Sequence, residues 1–178
     1  MPAHSIHPPQ TFRLPRWLIV AFVSGFVSVL VFHQGALALL HALHLTQSAP
    51  YPMKPTAPFG LPVVWSLAFW GGVWGVILSV ALARVRGSAF IVAATIFGAI
   101  FPTLVAWFVV APLKGQPMAA GFVPHAMLVG PIVNAAWGLG AGIGLALFGD
   151  SHSALPEEPQ APRAERRPSA ARRAPGAS

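Results

Sequence analysis

The 178-residue chain is 55% hydrophobic and 8% charged, carries a formal net charge of +7 and has no cysteine. A soluble domain holds about 25% charged residues. Here the four carboxylates, Asp150, Glu157, Glu158 and Glu165, leave residues 1–149 with none, which excludes a water-solvated surface over most of the chain. The missing thiols exclude disulfides, thiol catalysis, zinc–thiolate sites and cysteine-attached haem. The positive charge does not mark a nucleic-acid binder, because the arginines flank apolar runs rather than form a basic face.

A short segment, residues 1–16, carries Arg13 and Arg16. Four apolar runs come after it, at about 17–45, 62–83, 89–110 and 125–148, and none contains Asp, Glu, Lys or Arg. Each is long enough to cross a hydrocarbon core of roughly 30 Å. Lipid cannot satisfy an exposed backbone, so each is predicted to be a helix. The fold class is all-α: a polytopic four-transmembrane-helix bundle over residues 17–149. The first run is too long for the apolar region of a cleaved signal peptide and reads as a retained signal anchor. Its excess length predicts tilt or a helical projection beyond the bilayer.

Arg84 and Arg86 lie between the second and third runs, and Arg163, Arg166 and Arg167 come after the fourth. Lys54 and Lys114 lie on the opposite side. The positive-inside rule therefore predicts cytoplasmic termini and two outward loops, about 47–61 and 111–124. Residues 150–178 are rich in Pro, Ala and Arg with little apolar bulk, and read as a disordered cytoplasmic tail.

The segment "APYPMKPTAPFGLPVVWSLAFWGGVWG" (49–75) parallels "APLKGQPMAAGFVPHAMLVGPIVNAAWG" (111–138). Two helical hairpins in the same orientation would produce such a repeat, although the first and third runs barely match. Gly71/Gly75 and Gly138/Gly142 have the small-xxx-small spacing that lets helix backbones approach closely. Gly140/Gly144 gives the fourth helix a second small face. That face can meet another helix of the bundle, a second protomer or a partner membrane protein. Pro102 and Pro131 lie inside the third and fourth runs, where each removes one helical hydrogen bond.

"FHQGALALLHALH" (32–44) places three histidines and a glutamine in a run that should be apolar. At 100° per residue, His33 and His44 project within about 20° of each other, and Gln34 about 100° from His33. His33 and Gln34 fall in the outer half of the bilayer, at the level of Thr103 and Asn134. The expectation is a hydrogen-bonded polar layer of His33, Gln34, Thr103 and Asn134, because an unpartnered amide or imidazole in lipid is costly. Such a layer either locks the bundle or lines a ligand pocket. His41, His44 and His125 fall near the outer surface and form a candidate three-histidine metal site, with no carboxylate or thiolate to complete it. His41 or His44 with His125 could also bracket a haem. Ser24 and Ser28 lack a His/Asp partner and are expected to bond backbone carbonyls.

"FHQGALALLH", "FGLPVVWSLAFWGGVWG" and "FVVAPLKGQPMAAGF" together resemble small four-span proteins of proteobacterial inner membranes, over residues 17–148. The resemblance implies the topology and a bacterial inner-membrane location, and no activity. With no catalytic constellation, the residues favour a non-enzymatic structural or accessory protein without a cofactor. Its expected partners are the lipid bilayer, a second copy or another membrane protein, and no nucleic acid. The alternatives are an oligomeric small-solute transporter or channel using the polar layer, and a His-ligated haem or metal protein.

Overall fold

A computed structural model describes residues 14–149 apart from Pro58. The tail at 150–178 and residues 1–13 lie outside the described residues. Among the described residues, four helices are long and apolar enough to cross a membrane: α1 (Arg16–Ala42), α2 (Val63–Ala81), α3 (Ser88–Leu113) and α4 (Pro124–Phe148). The chain is a multi-pass membrane protein with an all-α four-helix bundle.

Prolines set three of the four helix starts. Pro15 and Pro62 stand just before α1 and α2 in extended conformation, and Pro124 opens α4. Proline has no N–H to leave unpaired there, and its fixed φ suits a first turn. α1 stops at Ala42, earlier than the predicted residue 45. His44 takes a left-handed φ of 57°, and the Leu45 N–H returns to the Leu40 carbonyl at 2.9 Å. α3 ends in the same way. Gly115 takes φ 67°, and the Gln116 N–H reaches the Ala111 carbonyl at 2.9 Å. Both closures satisfy helix-end carbonyls that lipid cannot. Each of these helices also contains one π-helical stretch, Val29–His33 in α1 and Ala106–Val110 in α3.

The turn at 82–87 defines one end of the bundle. The connections at 43–62 and 114–123 define the other, the loop end. The first of these holds a small antiparallel ladder, β1 (Pro55–Thr56) with β2 (Leu61–Pro62). α1 packs on α2 and on α4, and α3 packs on α4. α2 meets α3 and α4 sparsely. The core between them holds Val29, Ala68, Leu78, Ala94, Phe97, Trp137 and Ala141, and a second cluster of Leu37, Leu40 and Val133 joins α1 to α4 near the loop end. Bulky apolar side chains such as Ile19, Val31, Phe69, Ile96, Ile132 and Leu147 cover the exterior.

The two hairpins use one and the same contact. In the first, a Cβ on Gly25 would strike the Gly71 carbonyl and lie 2.9 Å from the Gly75 Cα. In the second, a Cβ on Gly98 would strike the Asn134 carbonyl and lie 2.9 Å from the Gly138 Cα. A Cβ on Gly75 would meet the Ala21 carbonyl, and one on Gly138 the Ala94 carbonyl. Ala21/Gly25 on α1 thus corresponds to Ala94/Gly98 on α3. The repeat extends into the two helices whose sequences barely match.

The second small face of α4 is filled from within the chain. Gly140 faces Phe32 and Ser28, and Gly144 faces Ser24, all on α1. Gly142 packs on Ala94 of α3. Gly140 and Gly144 therefore present no small-residue face to a second protomer or a partner.

Gly98→Ala and Gly25→Ala are each expected to lower stability by about 1–3 kcal/mol, the usual cost of overpacking. Gly35→Ala, with nothing within 4 Å of its added methyl, is expected to be neutral or stabilising, by at most about 1 kcal/mol of helix propensity. Unfolding by a denaturing detergent in mixed micelles, monitored by circular dichroism, checks the order.

Candidate functional site

The polar contacts that join one helix to another, or to the loop end, form three groups rather than one layer. The first joins α1 to α4. The Trp137 indole N–H donates to the Gly25 carbonyl at 2.9 Å, and the Ser28 hydroxyl donates to the Trp137 carbonyl at 2.6 Å. Both side chains are buried. Ser28 does bond a backbone carbonyl, though across helices rather than within its own. Trp137 is a polar partner that the sequence does not single out. Its signal is the Trp-Gly pair repeated at 74–75 and 137–138, which reads first as packing.

The second group joins α3 to α4. The Asn134 amide N–H donates to the Thr103 hydroxyl at 2.9 Å. Thr103 is buried, and Gly130 lets its methyl approach α4. Two of the four predicted layer residues are therefore bonded to each other.

The third group sits on α1 beneath the loop end. Gln34 is 0% exposed. Its Oε1 accepts the backbone N–H of Tyr51 at 2.7 Å, and the Tyr51 hydroxyl donates to the Leu30 carbonyl at 2.9 Å. Tyr51, with a left-handed φ of 51°, thus fastens the loop onto α1. The Gln34 Nε2 and the His33 Nδ1 are buried without a partner among the described residues. The predicted four-residue layer is corrected accordingly. His33 and Gln34 bond neither Thr103 nor Asn134. The Gln34 oxygen is taken by the loop through the Tyr51 N–H, and the Asn134 amide is taken by Thr103.

The three-histidine site is also corrected. Among the described residues, no three His, Cys, Asp or Glu side chains are grouped to hold a metal ion. The His41 Nδ1 lies 3.2 Å from the Thr46 carbonyl. His44 closes the helix in a left-handed conformation, and His125 begins α4.

Comparison with protein-family models, curated proteins and solved structures gave no match.

The Thr103–Asn134 bond is expected to couple weakly. A double-mutant cycle of Thr103→Val and Asn134→Leu should return about 0.6 kcal/mol, typical for side-chain bonds within a bilayer. Unfolding in mixed micelles measures the four corners. A coupling near zero would remove the bond.

Proposed function

We propose that the chain is a non-enzymatic structural or accessory protein of a bacterial inner membrane, with both termini in the cytoplasm. Arginines at the 82–87 turn and lysines at the loop end support that orientation. One observation carries the accessory reading. Most described residues lie in the four helices, and the connections fold back onto them, as Tyr51 does onto Gln34 and Leu30. A partner would therefore meet this protein mainly within the bilayer.

The surface suited to such a meeting is aromatic. Phe22, Phe26, Trp65, Phe69 and Trp70 form a chain of ring contacts along α1 and α2, at centroid distances of 5.8 to 6.3 Å. Trp65, Phe69 and Trp70 are exposed. Rigid aromatic groups give large contact area at low cost in side-chain entropy.

One observation favours a second reading, a small-solute transporter or channel. The unpartnered His33 and Gln34 atoms are polar groups that the fold leaves free deep in the bundle. In membranes such groups mark pathways for polar solutes.

A photoreactive amino acid at Phe69, compared with one at Leu147, separates the two in native membranes. The accessory reading expects a discrete adduct with another membrane protein from position 69 and none from 147. Solute flux by the purified chain in proteoliposomes, lost in His33→Ala and without any adduct, would replace it by the transport reading.

A further inference from the structure

The hairpins repeat, but the seams between them do not. The α1–α4 seam is closed by Ser24 and Ser28 facing Gly144 and Gly140. The register that pairs Ala21 with Ala94 and Gly75 with Gly138 assigns the corresponding places on α3 and α2. Phe97 and Phe101 stand for the two serines, and Ala81 and Ile77 for the two glycines. Bulkier side chains therefore stand along the second seam, where α2 and α3 meet sparsely. Trp74 and Phe97 meet edge to face at 6.0 Å. One turn nearer the loop end, Trp70 and Phe101 are 58% and 50% exposed. Their ring contacts go to Phe69 and Phe97, each on its own helix. The result is an apolar cleft between α2 and α3, walled by Trp70, Trp74, Phe97 and Phe101 and open toward the loop end.

The chain's two lysines stand at the loop ends of these two walls. The Lys54 carbonyl accepts the N–H of Val63, the first residue of α2, at 3.0 Å. Lys114 directly succeeds α3, and its N–H bonds the Val110 and Ala111 carbonyls at 3.1 Å. Both lysines are exposed, and residues 1–149 contain no carboxylate to pair with them. An occupant complementary to this arrangement has an apolar tail for the aromatic walls and a negative head for the lysines.

We propose that the α2–α3 cleft holds the acyl chain of one anionic phospholipid, whose phosphate headgroup lies between Lys54 and Lys114. A zwitterionic lipid fits the cleft equally but brings an ammonium to the lysines, so discrimination comes from the headgroup.

Native mass spectrometry of the full chain, released from detergent with phosphatidylglycerol or phosphatidylcholine of matched acyl chains, tests this. One phosphatidylglycerol is expected to be retained about thirtyfold over phosphatidylcholine, the scale of two surface lysines. Lys54→Gln with Lys114→Gln should bring the two lipids to parity. Arg84→Gln with Arg86→Gln, which removes the same charge at the other end, should leave the preference intact. A phosphatidylglycerol with a diazirine in its acyl chain should label α2 and α3 more than the exteriors of α1 and α4. Equal retention of both lipids, an equal loss in the arginine pair, or label spread over all four helices would overturn the proposal. So would a dimer in place of the bound lipid.

Discussion

Two helices touch backbone to backbone only where side chains stand aside, and this bundle is organised by two such places. In lipid no hydrophobic force drives helices together, so close packing and a few hydrogen bonds must hold them. Gly25 against Gly71 and Gly75 supplies the first contact, and Gly98 against Asn134 and Gly138 the second. Each makes a hairpin, and the remaining architecture is the joining of two hairpins. That joining runs through α1 and α4, where Trp137 donates to the backbone of α1 and Ser28 to the backbone of α4.

One residue separates the environments of the two hairpins. Gly71 has no Cβ, and one built there would lie 3.2 Å from the Trp137 indole nitrogen. The missing side chain gives the indole its place beside α1 and α2. The corresponding position in the second hairpin is Asn134, whose amide turns to Thr103. Trp74, the counterpart of Trp137, packs on Phe97 instead. A repeated unit thus yields one closed seam and one open seam. The closed seam supplies cohesion. The open seam and the aromatic stretch on α1 and α2 are the surfaces where specificity can reside.

Much of the fold was legible in the sequence because the bilayer imposes a coarse rule: about twenty apolar residues without charge make a helix. Gly71, Gly75, Gly138 and Gly142 were legible from spacing alone. Their partners Gly25 and Gly98 were not, since each pairs at that spacing with an alanine rather than a second glycine, and alanine is common in any apolar helix. The polar residues were legible in height but not in bearing. Counting residues from the interface places His33, Gln34, Thr103 and Asn134 at one level. It does not say which partner each takes: the loop takes the Gln34 oxygen through the Tyr51 N–H, and Thr103 takes the Asn134 amide. Tyr51 was not legible at all. It lies in a proline-rich loop, and its role depends on a left-handed backbone that sequence gives no reason to expect.

The central claim, that both hairpins close through the same glycine contact, is open to a direct measurement. Solid-state NMR on the full chain in bilayers, labelled with 13C at glycine Cα alone, reports which glycine backbones lie within short-range magnetisation transfer. Two interhelical cross-peaks are expected, Gly25 with Gly75 and Gly98 with Gly138. A spectrum with one of them and not the other would contradict the shared contact, and a spectrum with neither would contradict the bundle as described.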